Sequence, residues 1–386
     1  MKLDAAHAIS QALIDLGVDV LTNVPGYGGS EVFQAYNELS MKRLPFSFHE
    51  EVAFTVAHSA SICGKRSAVV IKAHGFLKAA NSISDSLYTE ISAGFVSLIF
   101  EDSSGKHSDS ILEIIPVIVA MSMPVFQSET NSLYDDVLNA FNESEKRKIP
   151  VALLINSLEI NEEVSFQQKQ NLKKNFSYTR DIFKHAVHPM LSDYQYKHFI
   201  SQKLEGDKAS LIKPKLPQIP DDLPERAKIT ANKYAPVFDI FKNFRGDIVT
   251  GDTSSLSAFC LPPYNCIDIV TYMGGSIPLA IGAYLAGFKN VWALSGDFGF
   301  ISAGIIGLLE AIQRDIPLKI MVFYNKKAAA TGGQKIDKRL LRHLLAGFEK
   351  YTVYISNPND PFEIESILKN VSSSNELKII VVDFQE

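Results

Sequence analysis

Short apolar runs alternate with longer amphipathic runs in this chain, and the alternation occurs twice. Before residue 156 the candidate strands are 19–24, 47–49, 67–72, 95–101 and 151–155, and the candidate helices are 5–16, 51–63, 77–90, 110–121 and 132–146. After about residue 236 the strands are 247–250, 267–272, 291–295, 318–324, 352–355 and 378–384, and the helices are 277–285, 301–313 and 361–369. This alternation is typical of parallel sheets covered by helices, so it predicts an α/β fold with two wound domains.

A polar segment separates the two alternating regions. It is rich in Gln, Lys and Asn, and its prolines are Pro189, Pro214, Pro217, Pro220 and Pro224. Such a composition is typical of a connector with some helix. The predicted organisation is therefore a first domain at 1–157, a connector at 158–234 and a second domain at 235–386.

Composition and charge exclude several classes of protein. Of the 386 residues, 43 are Asp or Glu and 38 are Lys or Arg, so the net charge of -5 offers no basic field for a nucleic acid. No stretch approaches the roughly 20 apolar residues of a membrane span, and we expect a cytoplasmic protein with no membrane partner. The cysteines are Cys63, Cys260 and Cys266; without a CxxC pair or a fourth thiolate, they cannot build a disulfide scaffold or an internal iron–sulfur cluster.

Two oxygen-bearing side chains follow neighbouring candidate strands of the second domain. Asp297 lies two residues after the end of strand 291–295, and Asn325 directly follows strand 318–324. The residues between Phe298 and Asn325 number 26. In parallel sheets the carboxyl ends of strands share one edge, where helix N-termini attract phosphate. Mg²⁺ usually takes one or two protein oxygens together with phosphate and water. Taken alone, each residue is better explained as turn or cap chemistry, but together with two further loop motifs, at 251–253 and 331–334, they favour a metal–diphosphate site.

These residues resemble the signature of a known family. Gly296-Asp297-Phe298 and Asn325 resemble the Gly-Asp-Gly…Asn motif of thiamine diphosphate enzymes, with Phe298 in place of the last Gly. The resemblance is closer to the α subunit of indolepyruvate:ferredoxin oxidoreductase. The segments that carry it, in the family's order, are Leu261-Pro262-Pro263, Ile267-Asp268, Met273-Gly274-Gly275-Ser276-Ile277 and Ala330-Thr331-Gly332-Gly333-Gln334.

The resemblance implies roles for particular residues. Asp297, Asn325 and the Lys327 carbonyl would ligate Mg²⁺, and the Gly275 carbonyl would accept a hydrogen bond from the aminopyrimidine. Ile277 would be the apolar wedge under the cofactor, although without the family it is simply a core residue. The implied cofactor-binding set is Gly251, Asp252, Thr253, Gly274, Gly275, Ser276, Ile277, Gly296, Asp297, Phe298, Asn325 and Thr331.

The first domain contains a candidate activating carboxylate. Glu50 and Glu51 stand at the start of a candidate helix. An acidic side chain in the first turn of a helix is stabilised by the helix dipole, and this alone explains the presence of Glu51. Glu50 matches the Glu of the family's pyrimidine-binding domain. There a carboxyl group kept partly protonated by apolar surroundings binds a ring nitrogen of the cofactor, so that the aminopyrimidine can act as base. His49, which precedes it, is a candidate for proton transfer.

A substrate-side region is also implied by the resemblance. Pro25, Gly26 and Tyr27 lie in a segment that resembles the family's loop after its first strand. Lys72-Ala73-His74-Gly75 resembles a Lys-His-Val-Gly segment, with the His one place later. His74 is therefore either a third catalytic candidate or a plain loop histidine, and Lys72 is assigned to the substrate side.

Several functions remain compatible with these motifs. The two-domain layout is similar to phosphonopyruvate and sulfopyruvate decarboxylases, which favours non-oxidative decarboxylation of a small 2-oxo acid to an aldehyde. An alternative is an oxidoreductase subunit that passes electrons to a separate iron–sulfur partner. A third is a catalytically silent binding protein, because Lys326-Lys327-Ala328-Ala329 alters the Asn loop. A dinucleotide site is disfavoured by the glycine spacing at 26–29. The family implies at least a homodimer, or a dimer of dimers.

Overall fold

The computed structural model describes residues 1–204 and 211–384 and divides into two compact units. Within the described residues, the first unit comprises 1–179 and 198–204, and the second comprises 180–197 and 211–384. Each unit contains one parallel sheet flanked by helices, so the predicted α/β fold is confirmed. A search of the described helices finds none with the length and apolarity needed to cross a membrane.

The first unit is built on a five-stranded parallel sheet. The strands of the whole unit are β1 (Lys2–Asp4), β2 (Val20–Asn23), β3 (Ser67–Lys72), β4 (Phe95–Glu101), β5 (Val125–Gln127), β6 (Val151–Asn156) and β7 (Glu163–Ser165). Its helices are α1 (Ala5–Leu16), α2 (Gly29–Ser40), α3 (Glu50–Ile62), α4 (Ala73–Lys78), α5 (Ala80–Ser86), α6 (Ile115–Ala120) and α7 (Leu133–Arg147). The sheet order is β2-β3-β4-β6-β5, and β1 pairs with β7 in a separate antiparallel ribbon.

The second unit is built on a six-stranded parallel sheet of order β12-β13-β11-β10-β8-β9. Its strands are β8 (Ile248–Gly251), β9 (Ile269–Val270), β10 (Val291–Gly296), β11 (Lys319–Tyr324), β12 (Thr352–Ile355) and β13 (Lys378–Asp383). Its helices are α8 (Ile182–His185), α9 (Ser192–His198, which ends at the boundary of the two units), α10 (Glu225–Phe241), α11 (Ser276–Leu285), α12 (Asp297–Gly299), α13 (Ile305–Gln313), α14 (Leu340–Leu345) and α15 (Pro361–Ser372).

Local chemistry explains where several elements begin and end. The Asp4 carboxylate caps α1 by accepting the His7 N–H, and Gly17 ends that helix with a φ of 70°. Helix α15 begins in the same way, with Asp360 accepting two N–H bonds ahead of Pro361. The β3 and β4 runs are buried on both faces because helices cover both sides of the sheet.

Some predicted elements differ from those observed. Residues 47–49 form no strand, because His49, in extended conformation, leads directly into α3. Helix 77–90 is replaced by two short helices, α4 and α5, and helix 110–121 begins only at Ile115, next to Pro116. Helix α2 was not predicted, because its start follows a glycine-rich loop.

The boundaries of the predicted connector, 158–234, do not coincide with the division into units. The Arg66 guanidinium donates to the Leu172 carbonyl at 2.7 Å, which attaches the segment before residue 179 to the first unit. Arg180 donates to Asp268 at 2.9 Å, which attaches the next segment to the second unit. Helix α10 starts inside the predicted connector and packs into the second core through Val237, Phe238 and Phe241.

Candidate cofactor site

Three loops meet at the carboxyl edge of the second sheet. They follow β8, β10 and β11, which are adjacent in the sheet, and together with α10 they border an open pocket with about 480 Å³ of empty space. The predicted site residues that line it are Thr253, Gly296, Asp297, Phe298, Asn325, Lys327 and Thr331. The parallel register therefore brings the predicted metal ligands and part of the predicted cofactor set together.

Asp297 is held by the backbone on both carboxylate oxygens. The Phe298 N–H donates to Oδ1 at 2.8 Å, and the Lys326 N–H donates to Oδ2 at 2.6 Å. The residue is only 1% exposed, and burial raises its pKa to about 6 against the opposing effect of these hydrogen bonds. Each oxygen keeps a second lone pair, so the carboxylate is oriented and can still accept a cation.

Asn325 is fixed at both ends of its carboxamide. Its Nδ2 donates to the Tyr234 hydroxyl, and its Oδ1 accepts the Lys327 N–H at 3.0 Å. Tyr234 lines the same pocket from α10, and burial raises its pKa far above the usual value. Tyr234 was not among the predicted site residues, because it lies within the predicted connector. The apolar spacing at 231, 234, 237, 238 and 241 is the signal that could have identified its helix.

The loop after Asn325 is closed by its own backbone. The Ala328 N–H donates to the Gln334 carbonyl, and the Gly333 N–H donates to the Ala328 carbonyl, both at 2.9 Å. Gly333 adopts a φ of 74°, which a side chain would strain. The Thr-Gly-Gly-Gln segment therefore gives the loop a defined shape that places Thr331 on the pocket wall.

Asp252 lies beneath the pocket rather than on its wall. It is fully buried, accepts the Ser276 N–H at 2.8 Å and accepts the Ser295 hydroxyl. Burial raises its pKa to about 6. It therefore ties the start of α11 to β8 and β10. Other buried residues of the predicted cofactor set that do not line this pocket are Gly251, Gly274, Gly275, Ser276 and Ile277.

Two of these buried residues show how closely the segment is packed. Gly274 has a φ of 85°, and a Cβ there would lie 2.5 Å from the Ala303 Cβ. Ile277 of α11 is fully buried and packs against Gly307 of α13. A Cβ added to Gly307 would lie 3.0 Å from the Cβ of Ile277. In this structure Ile277 is a core residue, and its implied role as a wedge stays a prediction.

The donor set at the pocket fits a small hard cation held together with phosphate. Its carboxylate and amide oxygens belong to Asp297 and Asn325, and the hydroxyl residues Thr253, Ser254 and Ser255 also line it. Within residues 1–204 and 211–384, no group of three or more His, Cys, Asp or Glu could hold a metal ion. A site with one carboxylate and one amide is what Mg²⁺ uses when phosphate and water complete its octahedron.

Glu50 in the first unit lies in a tight and partly buried environment. Its side chain is 17% exposed, and its Oε2 lies 3.1 Å from the Lys78 ammonium at the end of α4. Gly75 makes this approach possible, since a Cβ there would lie 2.7 Å from the Glu50 Cγ. Glu50 Oε2 and His49 Nδ1 are both buried without a hydrogen-bond partner among the described residues. Burial, and next the charge of Lys78, lower the pKa of His49, so the ring is neutral at neutral pH.

Three predicted residues of the first unit meet one loop that was not predicted. The Tyr27 ring stacks on His107 with centroids 3.7 Å apart, and the Lys72 ammonium donates to the His107 carbonyl and, at 2.6 Å, to the Ser108 hydroxyl. His74 Nε2 lies 2.9 Å from the Ser110 hydroxyl. The loop follows β4 and therefore lies at the carboxyl edge of the sheet.

Turn-forming residues after β4 are the signal that could have identified this loop. Asp102 accepts the His107 N–H at 2.6 Å and the Ser104 hydroxyl at 2.9 Å, which folds the loop around its carboxylate. The other two predicted substrate-side residues, Gly26 and Pro25, have different surroundings. A Cβ at Gly26 would lie 2.7 Å from the Lys72 Cγ, whereas Pro25 lines a separate open groove with Asn37 and Phe46.

A family model and several curated relatives match part of this chain. Residues 250–371 match the model of the thiamine pyrophosphate enzyme family's C-terminal TPP binding domain. The indolepyruvate oxidoreductase subunit IorA of Methanothermobacter marburgensis is 29% identical over 151 residues, and that of Archaeoglobus fulgidus is 30% identical over 155 residues. Each match covers 38% of this chain and about a quarter of the relative, 24% and 25% respectively.

A solved structure from Mycobacterium smegmatis shares the fold of the whole chain. It is provisionally described as a thiamin diphosphate-dependent enzyme, and it aligns with a TM-score of 0.67 over 98% of both chains at 13% identity. At that identity the likeness shows the fold alone. Together these findings confirm the predicted resemblance to thiamine diphosphate enzymes and to the indolepyruvate oxidoreductase subunit.

Proposed function

Since residues 250–371 match a thiamine pyrophosphate-binding domain, we propose that the chain binds thiamine diphosphate with Mg²⁺ and catalyses the non-oxidative decarboxylation of a 2-oxo acid, with an aldehyde as product. The observation that carries the proposal is the pocket in which Asp297 and Asn325 lie together at the carboxyl edge of the sheet. The matched range contains both residues and the loop that orients them.

The second unit anchors the cofactor in this proposal. Asp297, Asn325 and the Lys327 carbonyl hold the cation, and the hydroxyl residues at 253–255 face the diphosphate. Asp252 acts from below by holding the start of α11 against β8. Backbone N–H groups hold both carboxylate oxygens of Asp297, and an oriented side chain loses less conformational freedom when it binds a ligand.

The first unit supplies the residues that handle protons. When bound, thiamine diphosphate provides the electron sink for decarboxylation. Glu50 Oε2, which lies 3.1 Å from the Lys78 ammonium, can share a proton with a ring nitrogen of the pyrimidine once that ammonium is displaced. His49 is neutral beside it and can donate or accept a proton. Lys78 pairs with Glu50 and has to yield that position when the pyrimidine binds.

The proposal includes an assembly of at least two copies. Glu50 and Asp297 belong to different units, and we propose that Glu50 of one protomer serves the cofactor anchored at Asp297 of another. A C2 homodimer would then contain two equivalent sites. A small 2-oxo acid is the proposed substrate, and Tyr27, Lys72 and the loop at 102–110 are the proposed substrate-side surface.

A second candidate function is favoured by the names of the curated relatives, which are oxidoreductase subunits. In that case the electrons released with CO₂ would pass to a separate iron–sulfur partner. The chain's own cysteines, Cys63, Cys260 and Cys266, are all buried and are too few for the four thiolates of a cluster. An external acceptor would therefore be required for the oxidative reaction.

One assay series separates these functions. Calorimetry with thiamine diphosphate and Mg²⁺ tests binding, and a panel of 2-oxo acids is then followed for CO₂ and aldehyde without any electron acceptor. The proposal expects both products in equal amounts. Release of CO₂ only after addition of an artificial one-electron acceptor would support the oxidoreductase function instead. Cofactor binding with no exchange of the thiazolium C2 proton by NMR would indicate a silent binding protein.

A further inference from the structure

The two ends of the Asn325 carboxamide are chemically different, and each has its own hydrogen-bond partner. Oδ1 can ligate a cation, whereas the Nδ2 group only donates hydrogen bonds and repels a cation. Nδ2 donates to the Tyr234 hydroxyl, and Oδ1 accepts the Lys327 N–H at 3.0 Å while keeping a free lone pair. The hydroxyl is thus the acceptor that occupies the end of the side chain unsuited to a cation.

Tyr234 is itself held rigidly. It is 2% exposed, and its ring packs on Phe323 with centroids 5.0 Å apart and on Phe384 with centroids 4.8 Å apart. Phe323 lies in β11, the strand that ends next to Asn325, so the hydroxyl and the carboxamide are positioned by the same sheet edge. The hydroxyl oxygen therefore holds a fixed position beside the carboxamide.

We propose that Tyr234 is a positioning residue for the cation: its hydroxyl holds the Asn325 carboxamide with Oδ1 toward the pocket. The inference deepens the proposed function and rests on it. Without the hydroxyl, the carboxamide keeps only the Lys327 N–H as a partner, so the side chain leaves this position more often and the fraction of molecules that present Oδ1 to the cation falls. Partners that orient metal ligands in this way typically contribute about 10- to 100-fold in metal affinity.

The test uses Mn²⁺ as a probe for the Mg²⁺ site. The full-length protein is titrated with Mn²⁺ in the presence of thiamine diphosphate, and free Mn²⁺ is followed by electron paramagnetic resonance. Tyr234→Phe is expected to weaken Mn²⁺ binding by about 10-fold. Melting temperatures are measured in parallel, so that a loss of folded protein is separated from a loss of affinity.

A double-mutant cycle distinguishes positioning from general support of the fold. Asn325→Asp makes both ends of the side chain oxygen, so its orientation no longer matters. On that background Tyr234→Phe is expected to change Mn²⁺ affinity by less than about threefold. A role in packing alone would produce the same loss on both backgrounds, and that result would overturn the inference.

The chain offers a matched control. Tyr36 is also 2% exposed, and its hydroxyl donates to the Val18 carbonyl at 2.7 Å in the first unit. Tyr36→Phe removes a similar buried hydroxyl and is expected to leave Mn²⁺ affinity unchanged. Wild-type affinity in Tyr234→Phe would refute the inference while the proposed function stands. Failure of the wild-type protein to bind Mn²⁺ with thiamine diphosphate would instead overturn both.

Discussion

The two candidate sites differ in how far the protein satisfies its own polar atoms. In the second unit both oxygens of Asp297 accept backbone N–H groups, and both ends of the Asn325 carboxamide are hydrogen-bonded. In the first unit the buried Nδ1 of His49 and Oε2 of Glu50 have no hydrogen-bond partner within the described part of the chain. Asp297 and Asn325 are thus hydrogen-bonded within the second unit, whereas these two atoms of the first unit have no hydrogen bond among the described residues.

This difference matches the two tasks of the proposed function. Residues that anchor a cofactor bind it more tightly when their side chains are already oriented, because less conformational entropy is then lost on binding. A group that exchanges protons with a ligand needs a free lone pair, and leaving a buried polar atom unpaired costs about 1–3 kcal/mol. In the proposed function a ring nitrogen of the pyrimidine competes with the Lys78 ammonium for Oε2 of Glu50. The following predictions test this contrast.

The largest effect is expected for Glu50→Gln. The amide keeps the contact with the pyrimidine but cannot exchange a proton, so turnover is expected to fall by about 10³-fold, within the usual range for a general acid or base. Affinity for thiamine diphosphate is expected to change by less than about threefold, because the anchor in the second unit is intact. Steady-state kinetics and calorimetry measure the two quantities.

Glu51→Gln is the matched control, since Glu51 is the next residue of α3 and bonds Asn81 and Ser82 instead. Turnover in that variant is expected to stay within about threefold of wild type. Retention of turnover in Glu50→Gln, or an equal loss in both variants, would remove the assigned role of Glu50.

Asp297→Ala tests the site of the second unit and is expected to weaken the joint binding of thiamine diphosphate and Mg²⁺. The loss of the oriented carboxylate should reduce affinity by about 100-fold, or roughly 2.7 kcal/mol, as measured by calorimetry. Asp337→Ala removes an exposed carboxylate of the same unit whose partner is Arg339, and it should leave affinity unchanged. Equal affinities in the two variants would contradict the anchoring role.

The same two variants also test the proposed assembly. If sites are shared between protomers, a mixed dimer of Glu50→Gln and Asp297→Ala contains one site with both native residues. Co-expression should therefore restore about a quarter of wild-type turnover, because half of the dimers are mixed and each has one intact site. Sites confined within one protomer would give no restoration.

Much of the architecture could be predicted because its signals are local. The bounds of α1, β3 and β4 were predicted to the residue, since each is a continuous apolar or amphipathic run between clear breaks. Asp297 and Asn325 were predicted to lie together because parallel strands place their carboxyl ends at one edge.

Features that depend on distant contacts could not be predicted in this way. Tyr234 gains its importance from a hydroxyl contact to Asn325, 91 residues away in sequence. The loop at 102–110 gains its significance from Tyr27 and Lys72, which contact it from distant parts of the sequence. The pairing of Lys78 with Glu50 likewise depends on how α4 packs beside α3 and on the missing side chain at Gly75.

A smaller effect concerns the stability of the first unit and its dependence on pH. Burial, and next the charge of Glu51, raise the pKa of Asp85 from 3.8 to about 6. The folded state then binds a proton more tightly than the unfolded state, so the stability linked to Asp85 is greatest below pH 4 and is lost as pH rises toward 6. Ionised Asp85 therefore destabilises the protein at neutral pH.

Asp85→Asn is accordingly expected to raise the free energy of unfolding at pH 8 by roughly 1–3 kcal/mol, since one pKa unit corresponds to about 1.4 kcal/mol. The gain should shrink as pH falls from 6 to 4, and urea unfolding at several pH values measures it. Asp135→Asn is the control, because that carboxylate is exposed and pairs with Lys169. A gain in Asp85→Asn that does not vary between pH 4 and 8 would contradict the electrostatic explanation.

The smallest effect is expected for Lys78→Met, and it tests whether Lys78 acts on the incomplete site as a charge. Burial is the larger cause of the lowered pKa of His49, and the Lys78 ammonium is the next. Removing the ammonium should therefore raise the pKa of His49, which an NMR titration of the ring protons follows, with His49→Gln used to assign the signal. Lys65→Met removes an ammonium paired with Asp19 in the same unit and should leave that titration unchanged. Because Lys78 also pairs with Oε2 of Glu50, its removal should slightly tighten thiamine diphosphate binding. A weaker affinity would mean that Lys78 assists the cofactor rather than yielding to it.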